Sequence, residues 1–202
     1  MRETPEISNL IRNLRGVLVG VDEVGRGCLA GPVTAAAVVF NSDIDIHLYQ
    51  DSKQLSEEKR KELSLSIHQN HTVSIGWASV EEVDQINILQ ATFLAMRRAL
   101  NALPVKPQHI LIDGRDCIPD FVVGQQYPVI QGDQKVRLIS AASIAAKVAR
   151  DDFMKNLATQ VAGYGFETHK GYGTKMHRLK IAELGPTIWH RKSFSGVKEF
   201  SR

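Results

Sequence analysis

Four carboxylates stand at positions where acidic side chains need a reason to be. Asp22 and Glu23 follow directly on the apolar run Val17-Leu18-Val19-Gly20-Val21, Asp113 ends His109-Ile110-Leu111-Ile112, and Asp133 follows Gly132 just ahead of a long helical stretch. A charged pair after five apolar residues is unfavourable to bury unless a cation or hydrogen bonds compensate it. Strand ends project toward one rim of a sheet, where sites are commonly assembled. Gathered at such a rim without counterions, four carboxylates repel one another and some take up protons. Mg²⁺ or Mn²⁺ ions, which favour hard oxygen ligands, would neutralise them. Two such ions about 3.5–4 Å apart can clamp the attacking and leaving oxygens of an in-line phosphoryl displacement. Taken singly, an Asp is more often a turn former or a helix cap, and Asp133 in particular fits a turn. Linear spacing leaves their convergence open. Successive strand residues point to opposite faces, so Asp22 and Glu23 are expected to share a site only if the chain turns at once, which Gly25 and Gly27 make easy.

Other segments carry groups suited to an anionic ligand. The glycines of Gly25-Arg26-Gly27 let backbone approach a ligand and offer N–H and C=O groups to a sugar hydroxyl, although the same three residues also make an ordinary tight loop. Lys53, in Asp51-Ser52-Lys53, is placed to contact a phosphate or to sit in solvent ahead of a helix. In His169-Lys170-Gly171-Tyr172-Gly173-Thr174 an aromatic ring lies between glycines beside Lys170 and Lys175, a platform for a sugar or base, or a ring that pins a loop. His190-Arg191-Lys192-Ser193-Phe194 can pack the C-terminal tail or touch a nucleic-acid backbone. His169, His177 and His190 lie on separate segments without a zinc spacing, and none is assigned to a metal.

The elements that must position these residues are legible as periodicity. Val17–Val21 and Val33–Phe40 read as buried strands, with Pro32 stopping any helix between them. Ser56 with Glu57 and Glu58 opens a helix to about Gln69. A strand over Thr72–Ser79, a helical stretch near Ile88–Asn101 and a strand over His109–Ile112 follow. Ala142, Ala146, Ala149, Phe153 and Leu157 fall at helical spacing, and the Ala-rich half suits close approach to a sheet. A last helix runs from Thr174 to Leu184, ended by Gly185-Pro186. This order gives an α/β fold, a mixed central sheet flanked by helices.

The 202 residues, 43% hydrophobic and 23% charged, suit one soluble domain with a sizeable core. The net charge of +3 is unevenly spread: residues 1–131 hold 12 Lys/Arg and 16 Asp/Glu, residues 132–202 hold 13 and 6. An acidic first part and a basic last part suit a protein that holds cations beside phosphates, though solvated helix faces would give the same bias. Cys28 and Cys117 are far apart, against a disulfide framework and in keeping with a reducing cytoplasm. The N-terminus has no apolar signal core and the longest apolar run is too short to span a bilayer, so no membrane partner is expected.

The motifs together resemble the type 2 ribonucleases H, nearest to the bacterial ribonuclease HII branch. The resemblance is carried by Val21-Asp22-Glu23-Val24-Gly25-Arg26-Gly27 with Ala30-Gly31-Pro32, Asp51-Ser52-Lys53 with Leu55, and Ile112-Asp113-Gly114. Gly132-Asp133, Ser140 to Val148 with Arg150-Asp151, His169 to Thr174 and His190 to Phe194 extend it in order over nearly the whole chain. It implies a ribonuclease H-like fold in one catalytic domain over 1–202, with 1–15 a lead-in and about 165–202 a small C-terminal helical part that contacts substrate. It assigns catalysis and metal binding to Asp22, Glu23, Asp113 and Asp133, with two Mg²⁺ or Mn²⁺ ions. Substrate contacts fall to Gly25, Arg26, Gly27, Lys53 and Tyr172: the glycine turn reads the ribose 2′-OH and Tyr172 packs on the next deoxyribose. The implied substrates are RNA–DNA hybrids and duplex DNA with embedded ribonucleotides, cut on the 5′ side to leave 3′-OH and 5′-phosphate ends by a cytoplasmic monomer. Type 3 relatives carry an extra N-terminal domain, for which the short lead-in leaves no room. A junction resolvase of related fold would keep the carboxylates without a 2′-OH reader, and a binding protein without catalysis would leave the carboxylates unexplained.

Overall fold

Two long apolar strands at the middle of the sheet set the architecture. In the computed structural model, which describes residues 13–42, 46–49 and 55–201 together with Asn9 and Ile11, β1 (Leu18–Val24) pairs antiparallel with β2 (Val33–Val39) and parallel with β4 (His109–Asp113). Six consecutive residues of β2, Val33 to Val38, are wholly buried, the pattern of a strand covered on both faces. β3 (Thr72–Ala78) flanks β2 antiparallel and β5 (Gln125–Val129) flanks β4 in parallel, so the five-stranded order is β3-β2-β1-β4-β5. The sheet is mixed and covered by helices, as the periodicity predicts.

The strand alternation divides the core in two. Val19, Val21, Ala35 and Ala37 face helix α2 (Val80–Asn101) with Ala91, Phe93, Ala95 and Ala99. On the other face Ala36, Val38 and Leu111 meet helix α1 (Glu57–Asn70) and the long helix α4 (Arg137–Gln160), which contributes Ala141, Ala142, Ala145 and Ala146. The small residues bring α4 almost onto the backbone of β1: a Cβ placed on Gly20 would lie 2.4 Å from the carbonyl carbon and oxygen of Leu138. Ser56 caps α1 through the Lys59 amide, as expected from the sequence.

Three features differ from the sequence reading. Helix α2 begins at Val80, not near Ile88: a capping box between Ser79 and Glu82 starts it, and Asn87, at φ 67°, breaks it and recaps the second half through the amides of Leu89 and Gln90. Strand β5 had no sequence signal because Gln125-Gln126-Tyr127-Pro128 is polar and holds a proline, which only an edge strand tolerates. Two one-turn helices, α3 (Gly132–Lys135) and α5 (Phe166–His169), are too short for periodicity to reveal. Helix α6 (Lys175–Leu184), capped by Thr174 and ended at Gly185, agrees with expectation. Among the described residues no helix is long and apolar enough to cross a membrane, and Cys28 and Cys117 are free thiols.

Replacing Gly20 by Ala should destabilise the protein by about 1–3 kcal/mol, because the methyl group meets backbone that cannot rotate away. Urea unfolding of the variant would measure it, and an unchanged midpoint would show that α4 can lift off β1 freely.

Candidate active site

The carboxylates meet at the C-terminal rim of the parallel strands. β1 runs straight through both acidic residues to Val24, so no immediate turn is needed, contrary to the sequence expectation. Alternation sends Asp22 toward α4 and Glu23 toward α2, yet both side chains line one cleft because the strand ends there. Asp113, last residue of the neighbouring β4, completes that acidic wall. Asp133 lies on α3, not in a simple turn. It is 3% exposed, and its amide donates to Asp113 Oδ1 at 3.3 Å. The structure thus gathers Asp22, Glu23 and Asp113 in the cleft and places Asp133 beside Asp113 through the backbone.

The cleft holds about 170 Å³ and is closed on its other sides by Arg60, Ser143, Lys147 and Tyr172. Burial, then the charges of Glu23 and Asp113, push the Asp22 carboxyl well above its usual range, against hydrogen bonds from Ser143 and the Glu23 amide, the latter at 2.7 Å. Burial likewise raises Glu23. Arg26 opposes this from 3.4 Å, and Asp113 adds to it. Charge is therefore held at the rim under strain that a hard divalent cation would relieve. Among the described residues no three acidic, His or Cys side chains already converge as a closed cage on one ion position. The donor set, three carboxylates opening onto one cleft, still matches the oxygen ligands such ions take.

The opposite wall is built from loops stitched together. An antiparallel bridge joins Cys28 to Tyr172 and another joins Ala30 to His190; the Leu29 amide donates to the Gly171 carbonyl at 2.8 Å and the Arg191 amide to the Leu29 carbonyl at 2.9 Å. Two fully buried guanidiniums hold this assembly. Arg150 donates to the carbonyls of Pro32, Lys170 and Ala30, and Arg191 to those of Gly31 and Arg26. Burial lowers the Arg191 guanidinium to about 10. The approach is tight: a Cβ on Gly25, at φ +94°, would meet Arg150 Nε at 2.2 Å, and one on Gly171, at φ +84°, would meet the Ala30 carbonyl at 2.4 Å. Tyr172 stays 38% exposed toward the cleft, with Lys147 Nζ 5.5 Å and the Arg150 guanidinium 5.9 Å from its ring centre.

Gly25, Arg26 and Gly27 follow directly on Glu23 and Val24, which line the cleft, and Arg26 pairs with Glu23; Lys53 lies outside the described residues. Sequence reasoning assigned no role to Arg60, Ser143, Lys147 or Arg150, and read Arg191 only as part of a segment that packs the tail or touches a nucleic-acid backbone. Ser143, Lys147 and Arg150 recur at helical spacing on α4, a polar stripe beside the Ala stripe that could have been read. Nothing in the sequence marks Arg60. Arg191 belongs to the basic segment near the C-terminus, which packs inward: Asp84 accepts from the amides of Lys192 and Ser193, each at 2.9 Å.

A five-stranded mixed sheet with helices on both faces and carboxylates at the end of its central strands is the ribonuclease H-like fold. Comparisons agree: a chain of ribonuclease H2 from Pyrococcus horikoshii OT3 superposes with a TM-score of 0.75 over 92% of this chain and 97% of that one, at 24% identity. Bst-RNase HIII in complex with Mn²⁺ superposes with a TM-score of 0.68 over 91% of this chain and 68% of that one, at 18% identity. Residues 19–197 match the family model of ribonuclease HII, and the ribonuclease HII of Pelagibacter ubique (strain HTCC1062) is 50% identical over 91% of this chain and 98% of its own. The chain belongs to the ribonuclease HII family and is an endoribonuclease of the H type.

Asp22 ionises in the folded state only against burial and like charge, so its anionic form opposes folding at neutral pH. Asp22→Asn should raise the thermal stability of the metal-free protein. Calorimetry in the presence of a chelator measures this, and a lower midpoint would show that Asp22 is structurally favourable.

Proposed function

We propose that this protein hydrolyses the RNA strand of RNA–DNA hybrids and cuts on the 5′ side of ribonucleotides embedded in duplex DNA, leaving 3′-OH and 5′-phosphate ends. The observation that carries this is one cleft in which Asp22, Glu23 and Asp113 face Tyr172 and Lys147, with the Gly25-Arg26-Gly27 turn following directly on its residues Glu23 and Val24. Family membership supports the reaction, and the Mn²⁺ complex of the related fold supports a divalent ion at the carboxylates.

Asp22, Glu23, Asp113 and Asp133 would hold two Mg²⁺ or Mn²⁺ ions. When bound, such ions supply an activated water and stabilise charge on the attacking and leaving oxygens. The protein's own groups do the rest. Ser143 donates to Asp22 and the Asp133 amide to Asp113, and these bonds orient the carboxylates. Backbone of the Gly25-Arg26-Gly27 turn is the reader of the ribose 2′-OH, the group that separates RNA from DNA. The Tyr172 ring packs on the adjoining deoxyribose, and Lys53 and the basic residues of 165–202 contact phosphates. On this reading the chain is a single catalytic domain, 1–202, whose last part, from about 165, forms the second wall of the substrate groove.

Incubation with a duplex containing one ribonucleotide, with Mg²⁺ or Mn²⁺, should give a single cut whose mapped ends are 3′-OH and 5′-phosphate, while an all-DNA duplex stays whole. Asp113→Asn should abolish cleavage and largely spare duplex binding; full activity in that variant would remove the metal role. Tyr172→Ala should slow cleavage at a single embedded ribonucleotide, and an unchanged rate on that substrate would remove its part at the junction.

A further inference from the structure

His169, His177 and His190, spread over separate segments of the sequence, are in contact behind the Tyr172 loop, and all three are buried. The His169 and His177 rings stack with centres 4.3 Å apart, and His177 Nε2 lies 3.1 Å from His190 Nε2. Backbone groups at the two ends of this chain dictate where its protons sit. The Thr187 amide donates to His190 Nδ1 at 2.9 Å, so His190 carries its proton on Nε2. That Nε2–H donates to His177 Nε2, which leaves the His177 proton on Nδ1, and Nδ1–H donates to the Tyr172 carbonyl at 2.9 Å. His169 is fixed separately: the Gly171 amide donates to its Nδ1 at 3.2 Å, and its Nε2–H donates to the Tyr164 carbonyl at 2.7 Å. His177 and His190 are thereby each neutral in one tautomer, because an added proton would set donor against donor.

We propose that His177 and His190, backed by His169, are positioning residues: their directed hydrogen bonds hold the Tyr172 loop against the Cys28 segment and so set where the Tyr172 ring meets the sugar at an RNA-to-DNA junction. The role at the junction rests on the function proposed above, whereas the hydrogen-bond chain does not. The charged or titratable groups facing His177 are His169, His190 and Arg178; those facing His190 are His177, His169 and the Tyr164 ring, 4.9 Å away. Burial first, then these neighbours, hold His177 and His190 at about 4. The unfolded chain takes up their protons near the ordinary value of about 6.5. Stability from the cluster is therefore present above that value and is lost as pH falls toward about 4.

Side-chain ¹⁵N spectra of the full chain at neutral pH should show His177 protonated at Nδ1 and His169 and His190 at Nε2. The opposite His177 tautomer, or a cationic imidazole at either His177 or His190, would overturn the chain of bonds. His177→Ala should slow cleavage at a single embedded ribonucleotide by roughly tenfold to a hundredfold, in kcat more than in KM, and slow cleavage of a long RNA–DNA hybrid less. His177→Asn, whose amide can replace the Nδ1 donor, should recover most of the rate, and His177→Gln, whose donor is misplaced, should not. Should the Ala variant fail to fold, the Asn and Gln pair carries the same comparison. Equal losses on both substrates without rescue by Asn would reduce the cluster to ordinary packing. If Tyr172→Ala leaves the single-ribonucleotide rate unchanged, the reading of Tyr172 fails, while the tautomers still decide the hydrogen-bond chain.

Discussion

Where β1 passes under α4, Gly20 leaves room for the backbone of Leu138, and a single added methyl group would press on it at 2.4 Å. Because Ala141, Ala142, Ala145 and Ala146 are equally small, the helix lies against the sheet along that half of its length. Its axial position is then fixed relative to β1. Ser143 falls within hydrogen-bonding reach of Asp22, Lys147 reaches the cleft between Asp151 and Tyr172, and Arg150 arrives beneath the loops that close the far wall. A helix held a few ångströms farther off by larger residues would deliver none of these groups to the acidic rim.

The site then combines two buried charge arrangements that are solved differently. The guanidiniums of Arg150 and Arg191 are surrounded by backbone carbonyls from several loop segments, so their desolvation is offset by hydrogen bonds that also tie those segments together. The carboxylates of Asp22 and Glu23 receive fewer such bonds and repel Asp113, and of the two only Glu23 has a cationic side chain, Arg26 at 3.4 Å, in an ion pair among the described residues. The basic wall is tied together by its hydrogen bonds, whereas burial and like charge raise the carboxyls of the acidic wall.

Much of this was legible along the chain. The central strands, the capped helix α1, the Ala face of α4 and the final helix follow from periodicity, end signals and small-residue spacing, which act within a few residues. Strand β5 escaped because an edge strand needs no apolar alternation, and the first half of α2 because Asn87 interrupts its pattern. The acidic residues were visible as anomalies, since charge directly after an apolar strand asks for an explanation. Their family context came from motif resemblance rather than from charge alone.

By itself the sequence determined the residue types, their order and the local elements that carry them, because backbone preference and hydrophobic period are short-range. Tertiary structure alone decided what meets what. Parallel pairing of Val21 with Ile112 sets Asp113 beside Asp22 and Glu23 across ninety residues of chain, and the end of β1 lets side chains from opposite faces line one cleft. The same long-range pairing buried Arg150 and Arg191 under the loops, linked His190 to His177 and the Tyr172 carbonyl, and stacked His169 on His177. Such meetings depend on strand register and on which face each helix covers, and neither is encoded in any single stretch of residues.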